Sequence, residues 1–268
     1  MASVLNNVTS LTAQRNLAQT QKGLSSTINR LSTGLRVNRA SDDAAGLQIS
    51  NNLRADIRIL GQAQRNANDG IGIIQIADGV LEEASSLLTR AAELAEQAAS
   101  GHTSSAGRAA LNQEFSQLIT AINNMGTDTN YDGTSLFGGS FAIQVGDASV
   151  TDVTVAISTL SATTLGVNTN NLSTSTAAQT ALTAIQSAIS TLSSTRGNLG
   201  ASEARLNTVI NTLNVTRENV IAAESQIRDA DIASEVINLT KFQILSQSGV
   251  SALAQSNLQA QSVLSLLG

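Results

Sequence analysis

Large aliphatic side chains recur along three stretches of the chain at alternating intervals of four and three residues. That spacing lays an apolar seam down one side of a helix and asks for another helix to cover it. The first series runs Leu53, Ile57, Leu60, Gln64, Ala67, Ile71, Ile74, Asp78, Leu81, Ser85, Leu88, Ala92, Ala95 and Ala99, with Gln64, Asp78 and Ser85 as its polar interruptions. One helix from about Ala44 to Ala99 would be roughly 80 Å long at 1.5 Å per residue. A second series, Leu111, Phe115, Leu118, Ile122 and Met125, predicts a shorter helix after the break at "SGHTSSAG". A third series runs Leu182, Ile185, Ile189, Leu192, Arg196, Leu199, Glu203, Leu206, Ile210, Leu213, Arg217, Val220, Glu224 and Ile227. It predicts a helix of about 50 residues.

Proline is absent, which removes the residue that most often stops or kinks a helix. Aromatics make up 2% and tryptophan is absent, so the interior should be thin helix-on-helix seams built from Ala, Leu, Ile and Val. Gly61, Gly70, Gly72 and Gly79 weaken the first long helix, which must therefore be held by packing. Without cysteine there is no disulfide, thiolate nucleophile or cysteine metal site. A net charge of -5 gives no global electrostatic reason to bind nucleic acid or anionic lipid.

Between the long helices the period changes. Phe141, Ile143 and Val145, then Val153, Val155 and Ile157, alternate around the turn-prone "GDAS" and predict a β-hairpin near 137–160. "YDGTSLFGG" reads as a loop leading into it, and the Ser-, Thr- and Asn-rich 158–175 as an exposed connection. Two long helices of matched length with a hairpin between them are most economically antiparallel. The fold class expected is mainly α, a coiled-coil rod of long antiparallel helices with a small hairpin region, both chain ends lying together.

Both ends mix aliphatics with Gln, Asn, Ser and Thr, and neither residues 1–14 nor residues 242–268 carry a charged side chain. Val4, Val8 and Leu11 form one stripe, and Leu17, Leu24, Ile28, Leu31 and Leu35 a second. Val250, Leu253, Ala260, Leu264 and Leu267 repeat at heptad spacing in the tail. Such helices are marginal alone in water, so they are expected to order when neighbouring copies bury them. Val4, Val8, Leu11, Leu24, Ile28, Leu31, Leu35, Val250, Leu253, Leu264 and Leu267 are the candidate assembly residues.

The stretches "LTAQRNLAQTQKGLSSTINRLSTGLRVNRASDDAAGLQIS", "RNANDGIGIIQIADGVLEE" and "QIRDADIASEVINLTKFQILSQSGVSALAQSNLQAQSVLSLLG" resemble bacterial flagellin. The resemblance covers about 130 N-terminal and 90 C-terminal residues of the 268. It implies a filament-core domain of paired terminal helices (1–42 and 229–268) and a helical rod domain (43–228). It implies a subunit that self-polymerises into the extracellular filament of the flagellum, serves motility and needs no cofactor. Implied partners are other copies of the chain, an export chaperone on the C-terminal region near Ile232–Gly268, and filament cap and hook-associated proteins. Export through the flagellum's type III apparatus would explain an N-terminus without the basic and apolar regions of a cleaved signal peptide.

Some family members are ligands of an animal innate immune receptor. The matching residues here are Arg90, Glu93 and Leu94 in "LLTRAAELAEQ" and Glu114 in the next helix, while Ala92 stands where the family commonly has a second arginine. A hook-filament junction protein, which shares terminal patterns, is the structural alternative. A membrane-active type III translocator is another, opposed by the lack of Lys and Arg around the tail.

Other residues invite sharper readings. Asp42 and Asp43 in "SDDAAG" suggest a metal, but Ser41 as helix cap with acids at the helix N-terminus is preferred. "DADIASE" (Asp229, Asp231, Glu235) lacks the glycine and spacing of a calcium loop and reads as a charged helix surface or joint. His102 has no thiol or second histidine to join it, and no nucleophile-base pair or phosphate loop supports an enzyme.

Overall fold

The computed structural model describes residues 7–146 and 152–267, the side chains of 259–267 excepted. The fold is mainly α. Among the described residues five helices occur, α1 (Val8–Thr33), α2 (Ala44–Ala99), α3 (Ser105–Asp128), α4 (Ser175–Arg228) and α5 (Ile232–Leu267). Four short strands, β1 (Asn130–Tyr131), β2 (Thr134–Ser135), β3 (Gly139–Gln144) and β4 (Asp152–Ile157), lie between α3 and α4. The chain divides into two compact units. Residues 1–55 and 219–268 form one, and residues 56–218 the other.

The central unit is built on α2, α3 and α4. α2 and α4 run antiparallel, since Gln75, Asp78 and Glu82 of α2 meet Glu203 and Arg196 of α4. The buried row along α2 differs from the predicted seam by one residue at every second step. Ala67, Ile74, Leu81, Leu88 and Ala95 are buried as the heptads require, but their companions are Gly70, Ala77, Ala84, Ala91 and Ala98. The expected Ile71, Asp78, Ser85, Ala92 and Ala99 sit half-buried at the margin. A pattern read from large side chains chooses Ile71. Small residues win the position because they let neighbouring elements come close. Gly70 faces Ile143 and Leu206 directly. On α4, Ala181 and Ala188 are likewise buried while Leu182 and Ile189 flank them.

Two of the polar interruptions, Asp78 and Arg196, pair with each other. Arg196 donates from Nε to Asp78 Oδ1 at 2.7 Å and from Nη2 to Asp78 Oδ2 at 3.1 Å, and reaches Glu82 at 3.3 Å. The carboxylates, Asp78 foremost, hold the guanidinium's pKa above its usual value. Glu203 accepts from Gln75 at 3.2 Å and Glu224 from Ser50 at 3.0 Å, whereas Arg217 is exposed. Side chains at seam margins thus set α4 against α2. About a third of each Arg196 and Asp78 side chain remains exposed, 35% and 39%. Arg196→Met is therefore expected to cost no more than about 1 kcal/mol, shrinking as salt is added, in urea unfolding followed at several ionic strengths.

The predicted hairpin forms, with Phe141 opposite Val155 and Ile143 opposite Val153, and Ile143, Val153, Val155 and Ile157 buried. The predicted turn through Asp147 lies outside the described residues. Asn66 of α2 donates to the Gln144 carbonyl at 3.0 Å and fastens the hairpin.

Two expectations for this region are corrected. "YDGTSLFGG" is not a plain loop: β1 and β2 pair around Asp132 (φ 48°) and Gly133 (φ 75°), the two left-handed residues of a type I′ turn. The Ser-, Thr- and Asn-rich 158–175 is not simply exposed either, because Leu160, Ala162, Leu165, Val167 and Leu172 are buried in the core. Two α3 side chains hold it. Asn123 Oδ1 accepts from Ala162 N at 2.8 Å and Asn112 Oδ1 from Leu172 N at 2.7 Å.

Candidate assembly surface

The unit that holds both chain ends is built around α1 and α5. Asn7 caps α1, its side chain accepting from Ser10 N at 3.1 Å. Gly34 ends it at φ 71° and returns its N–H to Arg30 O at 2.8 Å. The chain then clasps the stretch between α4 and α5. Arg36 N donates to Arg228 O at 2.7 Å, Ala230 N to Gly34 O at 2.9 Å, and Leu35 bridges Asp229.

The acidic residues here serve helix ends and turns. Asp43, and not the expected Ser41, accepts from Gly46 N at 2.9 Å where α2 begins. Asp42 accepts from Arg39 N at 2.9 Å and Asn38 N at 3.3 Å. These backbone bonds, Arg39's foremost, hold its carboxyl below the usual carboxylate range. Asp231 accepts from Ala233 N and Ser234 N at the start of α5. No group of His, Cys, Asp and Glu among the described residues could hold a metal ion.

α1 and α5 pack antiparallel, their contacts running in opposite sense from Asn7 with Ser256, through Leu17 with Gly249 and Gly23 with Phe242, to Arg30 with Glu235. Heptad spacing governs which residues face inward. On α1 these are Ser10, Ala13, Leu17, Thr20, Leu24, Thr27 and Leu31; on α5, Glu235, Leu239, Phe242, Ser246, Gly249, Leu253 and Ser256. More than half of this seam is Ser, Thr, Gly, Ala or Glu. It is thin: only Thr27 and Glu235 of these reach full burial.

The larger aliphatics point the other way. Val8, Leu11 and Ile28 of α1 are 64%, 52% and 48% exposed; on α5, Ile232, Val236, Ile237, Ile244, Leu245, Val250 and Leu258 range from 43% to 67%. Ile237, Ile244 and Leu258 fall at steps of seven and fourteen, on the side of α5 away from α1. α5 therefore carries large aliphatics, set among Gln, Ser and Thr, on faces that α1 does not cover, and helices of that kind need burial on more than one side. A lone pair of helices cannot supply that burial.

Of the residues named from sequence, Leu24, Leu31, Leu35 and Leu253 are half-buried, while Val8, Leu11, Ile28 and Val250 are exposed. Val4 and the side chains of Leu264 and Leu267 lie outside the described residues. Sequence reading missed Ile237, Ile244, Leu245 and Leu258. Their signal was present: aliphatics spread around the whole wheel of one helix.

In the central unit, Arg90, Glu93 and Glu114 form one exposed network. Arg90 donates from Nη1 to Glu93 at 2.9 Å and from Nε and Nη2 to Glu114 at 3.0 and 2.9 Å. The hydrogen bonds it donates to Glu93 first and Glu114 second raise its pKa. Leu94 is turned inward, 1% exposed, and is not part of that surface. His102 is exposed and, among the described residues, bonds only Ser100 at 2.6 Å. No helix among the described residues is long and apolar enough to cross a membrane.

Comparison with known proteins matches both halves of the chain. The bacterial flagellin N-terminal helical region matches residues 4–142, and the bacterial flagellin C-terminal helical region matches residues 182–267. A flagellin of Halalkalibacterium halodurans is 39% identical, the match covering 97% of this chain and 98% of that protein. Flagellin FlaB2 of Treponema pallidum is 37% identical over the same shares. The crystal structure of Bacillus cereus flagellin aligns with a TM-score of 0.51 at 29% identity, covering 56% of this chain and 88% of that one. A putative flagellar hook-associated protein of Vibrio parahaemolyticus aligns with a TM-score of 0.59 over 70% of this chain and 100% of that one, a likeness of fold alone at 14% identity.

Proposed function

The chain belongs to the bacterial flagellin family and is a structural subunit of the flagellar filament, and we propose that its paired helices α1 and α5 are the part that packs against other copies to build that filament. The observation that carries this reading is α5, which is covered by α1 on one side and keeps large aliphatics exposed on the others. A contact between unlike faces of successive copies does not close on itself, so it repeats into a helical fibre. Each large aliphatic that becomes fully buried contributes roughly 1.5–3 kcal/mol. The exposed set on α1 and α5 is large enough to offset the roughly 4–15 kcal/mol that association costs in lost freedom.

The finer assignments follow from the family. Residues 1–42 with 229–268 serve as the filament-core domain and 43–228 as the rod domain. The subunit leaves the cell through the flagellar type III apparatus, attended by a chaperone on Ile232–Gly268. In the filament it meets cap and hook-associated proteins at the ends. An animal immune receptor would meet the Arg90, Glu93 and Glu114 surface. The exposed ionic network supports that reading, and Leu94 acts there only as packing beneath it.

Amide hydrogen exchange tests the assembly reading. In soluble monomer, α1 and α5 should exchange faster than the central stretch of α2 by roughly 100-fold or more, and in filaments that difference should vanish. Equal protection of all three helices in monomer, unchanged on polymerisation, would remove the basis for the proposal.

A further inference from the structure

The unit that holds the chain ends carries a polar cavity of about 250 Å³, lined among others by Lys22, Ser25, Asn29, Arg30, Arg39 and Asp42. Three cationic side chains converge on it against one carboxylate, and that carboxylate is already engaged by the backbone N–H groups of Asn38 and Arg39. Neither Lys22 nor Arg39 has an ion pair or a side-chain hydrogen bond among the described residues. Arg30 spends Nη1 on Glu235 at 3.3 Å, while its buried Nε has no partner. The side chains of Ser25 and Asn29 are also unpaired. Such a set of unspent donors around a cleft fits a carboxylate, which accepts several hydrogen bonds at once.

The chain's own charge distribution indicates where that carboxylate comes from. Residues 1–55 and 219–268 hold eight Lys and Arg against six Asp and Glu, whereas residues 56–218 hold seven against fourteen. The cation-rich cavity thus belongs to the net-positive unit, and the excess acid of every copy lies in the other. We propose that the Lys22, Arg30 and Arg39 cavity receives an Asp or Glu side chain from residues 56–218 of a second copy. This rests on the assembly reading and adds to it a polar contact that fixes how copies are oriented, which apolar faces alone specify poorly.

Cross-linking of filaments tests it, because the chain has only two lysines, Lys22 and Lys241. Heavy-isotope-labelled and unlabelled copies are polymerised together and treated with a carbodiimide, which condenses an amine with a carboxylate in contact. Peptide mass spectrometry should find Lys22 joined to an acid within 56–218, with mixed-isotope pairs showing that the bond runs between copies. In parallel, the double variant Lys22→Glu, Arg39→Glu should elongate seeds at least ~10-fold more slowly, and Lys22→Arg near the normal rate. Lys22 cross-linked only within its own copy, or not at all, overturns the proposal, as does a charge-reversed variant that elongates normally. The first shows a cavity filled from within or by free anions. If unaltered copies fail to elongate seeds, it is the assembly reading that falls.

Discussion

Replacing Ile237 and Ile244 together by aspartate leaves the monomer folded and stops filament growth. These side chains are 67% and 66% exposed on the face of α5 away from α1, so the isolated chain loses almost nothing when they become polar. Surface changes of this kind are usually within about 0.5 kcal/mol. In the proposed assembly the same positions are enclosed by neighbouring copies. Two lost aliphatic burials remove roughly 3–6 kcal/mol, and two carboxylates taken from water add several more. A loss of about 4 kcal/mol already raises the concentration needed for growth close to 1,000-fold. Circular dichroism should be unchanged, and light scattering with electron microscopy after seeding should show no elongation. Filaments forming at the ordinary concentration would mean that this face of α5 is not covered in the assembly.

The contrast between the two sides of α5 also marks what the sequence could disclose. The long helices were legible because Leu, Ile and Val repeat at four and three residues, and α2 runs over Ala44–Ala99 as that spacing requires. The one-residue offset in its seam was not, because Gly70, Ala77, Ala84 and Ala91 carry too little apolar surface to register against Ile71. The buried leucines of 158–175 were hidden by the polar residues around them, and their anchors, Asn112 and Asn123, belong to another helix. At the chain ends, amphipathic stripes could be seen, but a stripe does not say whether its partner is the same chain or another copy. Here α1 and α5 meet through Ser, Thr and Gly as much as through Leu17, Leu24, Leu31 and Phe242, and leave Val8, Leu11, Ile28 and Val250 outside. Apolar character alone therefore does not separate the face α1 and α5 share from the one they leave open.

Glycine positions give the second large effect, and its sign changes along the chain. Gly126 is buried in the last turns of α3, and a Cβ there would run into the backbone carbonyl of Leu160. Backbone cannot swing aside as the tip of a side chain can, and this segment is fixed on both sides by Asn123 and by the buried Leu160 and Ala162. Overpacking of a core typically costs about 1–3 kcal/mol and sometimes more; the better helix propensity of alanine returns only about 1. Gly126→Ala should therefore destabilise the central unit by about 2 kcal/mol or more, lowering its melting temperature by at least ~4 °C for a unit of this size. Gly72 and Gly79, in the interior of α2, have no heavy atom within 4 Å of the equivalent point. Gly72→Ala or Gly79→Ala should instead raise stability by roughly 0.5–1 kcal/mol, because only chain entropy changes. Thermal unfolding of the three single variants under one set of conditions decides the matter. If Gly126→Ala melts with or above the parent, α3 and the 158–175 connection are not in the close contact described. The opposite signs expected for one substitution in two helices come from what stands opposite each glycine.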